Sequence, residues 1–173
     1  MVDIELENVV VSAHLLEEVN LKEISQAIPD SKYDPDEFPG VSMLLDYPRV
    51  AVIILTSGKV VCTGAKSLEE AKDAIGILIK RLKEHGFKVN ESPKINVQNV
   101  VASANLGKEI DFEKVKKNVG EKVEYMPEEF PGLIYKHPNT TVLLFKSGKI
   151  VCTGGINERE VKESIEKVVM EIS

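Results

Sequence analysis

Two nine-residue stretches, SGKVVCTGA at 57–65 and SGKIVCTGG at 147–155, differ at only two positions and lie 90 residues apart. Outward from them the likeness continues. NVVVSAHL at 8–15 matches NVVASANL at 99–106, and EFPGV at 37–41 matches EFPGL at 129–133. The three separations, 90, 91 and 92 residues, differ by no more than loop-length changes. The chain is therefore a tandem duplication of one supersecondary unit. Its repeats are residues 1–90 and 91–173 of a 173-residue sequence.

Each copy reads the same way. A strand (IELENVVVSA, KINVQNVVASA) precedes a short helix, with Asn20 or Asp111 as the N-cap and Glu23 placed to complete a capping box in the first copy. Extended segments follow, broken by turn signals at Pro39-Gly40, Pro48 and Ser57-Gly58 and at their counterparts, which predicts an antiparallel meander. A long helix closes the unit. Ser67 caps the first, with Glu70 three residues on and Gly86 as its stop; Asn157 and Glu160 take the opening positions of the second. Leu68, Ala71, Ile75, Leu78, Ile79 and Leu82 form one apolar stripe, and Val161, Ile165, Val168, Val169 and Ile172 the other. Such stripes must lie on a sheet, so the helices cover one of its faces.

The uncovered face should be polar if it only meets water. Alternation along NVVVS sets Val9 and Val11 on one side and Asn8, Val10 and Ser12 on the other. With Cys62 and Cys152 under the helices, the open face carries Asn8, Val10, Val61 and Thr63, and again Asn99, Val101, Val151 and Thr153. That surface is aliphatic, with two asparagines and two threonines set pseudo-symmetrically. An apolar face of this size calls for a partner, although a second covering layer or a dimer mate would also account for it.

Composition narrows the function. No apolar run approaches the ~18 residues that span a bilayer, and the acidic amino terminus does not resemble a secretory leader, so no membrane association and a reducing cytoplasm are expected. His14, His85 and His137 fall in unrelated places, neither cysteine belongs to a CxxC pair, and no P-loop or GxSxG is present, so no enzyme, metal or cofactor is expected. The net charge of −6 runs against the basic footprint usual for phosphate binding. It is unevenly spread: −5 in residues 1–90 and −1 in residues 91–173.

The repeated NVV(V/A)S, YxPxEFPG(V/L) and SGK(V/I)VCTG motifs, over nearly the whole chain, resemble the core domain of the TATA-box-binding protein family in its short archaeal form. The resemblance implies an α+β fold in which two tandem pseudo-symmetric repeats form a saddle, with one curved antiparallel sheet and helices on the convex face. It implies a general transcription initiation factor that binds an A/T-rich TATA box in the minor groove, kinks and bends it, and recruits transcription factor B and, indirectly, RNA polymerase. The cell would be prokaryotic and the protein nucleoid-associated in its cytoplasm. Free of DNA, the apolar face is one that a second copy could cover.

Carried over by position, Asn8 and Asn99 with Thr63 and Thr153 would meet base acceptors, and Val10, Val61, Val101 and Val151 would press on the groove floor. Phe38 and Leu55 in the first repeat, and Phe130, beside Pro131, with Phe145 in the second, would be the wedges at the base steps. Ser57, Lys59, Lys66, Lys136, Ser147 and Lys149 would contact the phosphate backbone. Glu128 and Glu129 match the loop gripped by transcription factor B. The sequence departs from the family at Leu55, where a Phe is usual, and at Leu44, where many members are basic; Lys66 also has no counterpart in the second repeat, where Ile156 stands. These departures, and the acidic total, carry a second reading: a divergent paralogue that uses the same face for a protein or for DNA with relaxed specificity.

Overall fold

The computed structural model describes residues 2–172. Two compact units emerge: one is Asn8–Gln98, the other Asn99–Ser173 together with the residues up to Glu7. The first contains most of β1 (Ile4–His14), then α1 (Leu21–Ala27), β2 (Lys32–Tyr33), β3 (Gly40–Asp46), β4 (Arg49–Leu55), β5 (Lys59–Ala65) and α2 (Leu68–Glu84). The second contains most of β6 (Asn96–Asn105), then α3 (Phe112–Val119), a 3-10 turn at Gly120–Lys122, β7 (Val123–Tyr125), β8 (Leu133–Lys136), β9 (Thr141–Leu144), β10 (Lys149–Gly155) and α4 (Glu158–Ile172). The strands order as β2-β3-β4-β5-β1 and β7-β8-β9-β10-β6, every ladder within them antiparallel. The α+β class and the two repeats built to one plan are as the sequence reads. The two-residue and three-residue strands β2 and β7 carry too little pattern to be read from it.

The caps explain where the helices begin. Asn20 Oδ1 accepts the Glu23 amide at 3.1 Å, Asp111 accepts those of Glu113 and Lys114, Ser67 Oγ accepts that of Glu70 at 3.1 Å, and Asn157 Oδ1 that of Glu160 at 2.8 Å. Each satisfies a donor that the first helical turn leaves without an intrahelical partner. Glu70 reaches one residue further back than a capping box requires, accepting the Lys66 amide at 3.4 Å. At the other end of α2, Gly86 takes φ +85 and the Phe87 amide returns to the Leu82 carbonyl, a closure that favours glycine.

One face of each sheet is packed on its helices. Val9, Val11, Val52, Ile54, Val60 and Cys62 are essentially inaccessible, as are Ala71, Ala74, Ile75, Leu78 and Leu82 of α2. Val142, Leu144, Ile150 and Cys152 meet Val161, Ile165 and Val168 of α4 in the same sense. Each large aliphatic of this set contributes about 1.5–3 kcal/mol by leaving water. The helical stripes need correcting at four residues. Leu68 is 40% exposed because it opens the first turn, Ile79 and Val169 lie only half-buried at the stripe margins, and Ala74 is in the core.

The SGK turns are built around glycine. Gly58 and Gly148 take φ +88 and +100, and a Cβ there would fall 1.8 Å from the Leu16 carbonyl oxygen and 2.3 Å from that of Lys108. Their own carbonyls accept the amides of Leu15, Leu16 and Leu106. No side chain fits this double approach, so the repeated glycine tethers the strand-to-helix loop to the hairpin.

Candidate nucleic-acid interface

The face of each sheet opposite the helices is half-exposed and aliphatic. In the first unit it carries Val10, Ala51, Ile53 and Val61, each between buried neighbours on its strand, and Leu55 at the end of β4 after the buried Ile54. In the second it carries Val101, Ile134, Leu143, Phe145 and Val151. Cα register places them side by side: Ile53 opposite Val61 and Ala51 opposite Thr63, Leu143 opposite Val151 and Thr141 opposite Thr153. The residues named from NVV and VVCT alone therefore cover only part of the surface. Ala51, Ile53 and Leu143 were legible in the alternation of VAVIIL and TVLLF, where every second residue must face away from the helices.

Ser12 is a correction. Its alternation puts it on the open side, yet it is 2% exposed because Gln98 Nε2 donates to its Oγ at 2.8 Å. The equivalent Ser103 is 8% exposed and its Oγ donates to Glu7 Oε1 at 2.5 Å. Gln98 and Glu7 hold equivalent repeat positions, so each unit closes the open face over its buried serine with one long polar side chain.

Asn8 and Asn99 sit in matching clusters. Asn8 Oδ1 accepts the Gly64 amide at 2.7 Å while its Nδ2 donates to Thr63 Oγ1 at 3.1 Å. In the second unit the distances are 2.8 Å from Gly154 and 3.2 Å to Thr153. Asn8 with Thr63, and Asn99 with Thr153, are thus paired off on a largely apolar surface that also carries the hydroxyls of Ser42 and Thr141.

The EFPG loops project aromatic rings. Glu37 and Phe38 donate their amides to the Asp34 carbonyl, and Glu129 and Phe130 donate theirs to that of Met126. Phe38 is 44% exposed beside a cleft of about 270 Å³ lined also by Gly40, Ser42 and Ile53. Phe130 stands edge-on to Phe145, centroids 5.6 Å apart at 63°. Leu55 holds the Phe145 position in the first unit, where it pairs in register with Gly40.

Charge is sparse around these faces. Lys59 and Lys149 lie exposed at the SGK turns, where Ser57 and Ser147 Oγ accept their amides at 3.3 and 3.4 Å. Lys66 is exposed just past the end of β5. Lys136 Nζ is ion-paired to Glu124 at 3.1 Å, and Leu44 at the equivalent place is 53% exposed. Glu128 and Glu129 are exposed on the second EFPG loop beside Pro131. The cysteines lie on the other side: burial pushes the Cys62 and Cys152 thiols up to about 11, away from the reactive thiolate. Among the described residues no group of three His, Cys, Asp or Glu is disposed to hold a metal, and no helix is long and apolar enough to cross a membrane.

Two units built to one plan, each presenting a half-exposed aliphatic sheet face with a paired Asn and Thr and an aromatic loop beside it, define a duplicated α+β protein with the same open sheet surface in each repeat. Residues 3–85 and 94–173 match the family model described as Transcription factor TFIID (or TATA-binding protein, TBP), and the chain belongs to that family. It is 44% identical over 172 residues to the TATA-box-binding protein of Thermoplasma acidophilum, covering 98% of this chain and 94% of that protein. With the TATA-box-binding protein of Archaeoglobus fulgidus it shares 42% identity over 172 residues, with the same coverage. The solved structure of Methanococcus jannaschii TBP superposes with a TM-score of 0.87, at 42% identity and 98% coverage of both chains.

Proposed function

We propose that this protein is a general transcription initiation factor that binds A/T-rich promoter DNA through the minor groove and bends it. The observation that carries the reading is the largely aliphatic face itself, half-exposed in both units, with amide groups at Asn8 and Asn99 and hydroxyls at Thr63, Thr153, Ser42 and Thr141. A·T pairs offer the minor groove only acceptors, whereas G·C adds the guanine 2-amino group, so an aliphatic surface bearing a few donors suits A·T steps. Phe38 and Leu55, and Phe130 and Phe145, act as wedges between base steps, a use to which Phe and Leu are suited. Lys59, Lys66, Lys136 and Lys149 with the Ser57 and Ser147 hydroxyls contact phosphates.

The acidic total then has a physical reading: affinity comes mainly from burial of apolar surface, with few ion pairs to release counterions. Glu128 and Glu129 form the contact for transcription factor B, through which RNA polymerase is reached, and the free protein covers its apolar face with a second copy. The relatives are archaeal, which fits a cytoplasmic protein of a prokaryotic cell. Mobility-shift and circular-permutation bending assays on an A/T-rich duplex and a G·C-rich control are the test. The expected result is a bent complex on the first only, and equal affinity for both at moderate salt would overturn the reading.

Leu44 and Leu55 favour a second reading, in which the first unit's face binds with relaxed sequence preference and the protein acts as a specialised regulator. Selection of bound sites from a random duplex pool separates the two: the second reading expects an A/T requirement at one end of the site only.

A further inference from the structure

The sequence offers no reason for a glycine to follow each open-face threonine. The structure gives one. Gly64 and Gly154 take φ +103 and +95 at the point where the pairing of β5 with β1, and of β10 with β6, slips register. The slip swings each glycine amide out of the ladder, and in both units that amide donates to the asparagine Oδ1, at 2.7 and 2.8 Å. Nδ2 spends one proton on the threonine, at 3.1 and 3.2 Å. A flipped amide would set NH2 against the glycine N–H, donor to donor, so the orientation is locked.

We propose that Gly64 and Gly154 are positioning residues for specificity: their bulged amides turn the asparagine oxygens into the sheet and leave Nδ2 as the outward group. The open face then presents donors at these two points and keeps its best acceptors occupied. A minor-groove acceptor on A·T is met, while the guanine 2-amino group finds a donor facing it and forfeits its own hydrogen bond. The repetition of the arrangement in both units, within 0.1 Å, makes an accidental contact an inadequate account. The proposal deepens the minor-groove reading and rests on it.

Space is not what demands glycine here. A Cβ on Gly64 would lie 3.7 Å from its nearest neighbours and one on Gly154 3.4 Å, ordinary contacts, so only the positive φ excludes other residues. Gly64→Ala with Gly154→Ala therefore leaves the packing intact and pulls the two amides off their asparagines. Asn8→Asp with Asn99→Asp does the opposite, keeping the glycine N–H bonds and replacing the outward donor by an acceptor.

The test compares duplexes with A·T, inosine·C or G·C at the central base pairs, the last two differing in the groove only by the 2-amino group. The unmodified protein should bind A·T and inosine·C about equally and G·C at least about ten-fold more weakly, the worth of a lost hydrogen bond or two. In the double Ala variant the ratio of inosine·C to G·C affinity should narrow at least three-fold, beyond any uniform loss from a lower Tm. In the double Asp variant it should approach one or invert while overall affinity falls. Should the Ala variant fail to fold, the Asp variant decides alone. A ratio as wide in the variants as in the unmodified protein would overturn the proposal, because exclusion by the aliphatic floor would then suffice. Failure of the unmodified protein to bind any of the three above a random duplex would instead overturn the minor-groove reading beneath it.

Discussion

The ring of Phe130 meets that of Phe145 edge-on at 5.6 Å, while the same position opposite Phe38 is occupied by Leu55. A planar pair can insert one ring and buttress it with the other; a branched aliphatic supports its neighbour but stacks poorly on an exposed base. Opening of the base step should accordingly be stronger at the end served by the second unit. With 2-aminopurine placed at either end of an A/T-rich duplex, fluorescence should rise more at that end. Leu55→Phe should raise the weaker signal and strengthen binding by roughly 1 kcal/mol, about the increment of one stacked base; Phe145→Leu should lower the stronger one.

Lys136 is engaged by Glu124 at 3.1 Å, so a phosphate contact there must first displace a carboxylate. Glu124→Gln frees the lysine and removes a negative charge from the rim. Affinity for the duplex should rise a few-fold at low salt, with the gain fading as salt screens it. Leu44→Lys restores charge at the matching place in the first unit and should steepen the plot of log affinity against log salt by about one. Equilibrium binding between ~50 and 200 mM salt measures both.

Glu128 and Glu129 are exposed on a loop whose ring, Phe130, faces away toward Phe145. Glu128→Lys should abolish formation of a ternary complex with transcription factor B while leaving the binary complex with DNA unchanged or slightly tighter. Mobility shifts with and without the factor measure it. Loss of both complexes together would place Glu128 in the DNA surface.

At the carboxyl-terminal end of α4, Tyr135 donates to Glu171, whose other oxygen lies 3.7 Å from Lys122. The tyrosine bond, with Lys122 and Lys167, holds the Glu171 carboxyl below its usual range, and burial leads the rise of Tyr135 to about 12. His137 lies against the Tyr135 ring at 4.7 Å with its Nε2 buried and unpartnered, and burial with Lys167 and Lys122 holds its pKa down against the pull of Glu171. A histidine kept neutral in the fold must charge on unfolding, so its stability contribution is present above its ordinary 6.5 and declines as pH falls through that value toward the folded pKa. Glu171 acts lower in the scale, its contribution present above the unfolded carboxyl pKa and lost as pH falls through the depressed folded one. Urea denaturation between pH 8 and about pH 3 should show stability falling first below about 6.5 and again below the ordinary carboxyl range. His137→Phe should flatten that first fall and leave the second.

The buried thiols give a simpler expectation. Cys62 and Cys152 are inaccessible and their thiolates disfavoured, so a thiol reagent at pH 8 should label neither in the native protein and both on unfolding.

Duplication, helix caps and the two-sided alternation of the strands were all legible in the amino-acid sequence, because each depends on neighbours within a few residues or on literal repetition. Asn20, Ser67, Asp111 and Asn157 cap helices wherever the chain carries them, and Cys62 must face opposite to Val61 on any strand. The stripe margins were less legible: Leu68 and Ile79 satisfy helical periodicity, yet how far a helix rolls on its sheet is settled by packing partners distant in sequence.

The polar side chains of the open face were decided by tertiary structure alone. Ser12 sits on the predicted side and Ser103 at the equivalent place, and both are buried nonetheless, because Gln98 and Glu7 reach across from 86 and 96 positions away. Asn8 and Asn99 were visible as candidates, but which atom each turns outward depends on a glycine amide 56 or 55 residues along the chain. Sequence by itself determined two equal units with one apolar sheet face left open, since periodicity is a local property of the backbone. Tertiary structure decided what that face offers a ligand, since a hydrogen bond goes to whichever group the fold brings within about 3 Å.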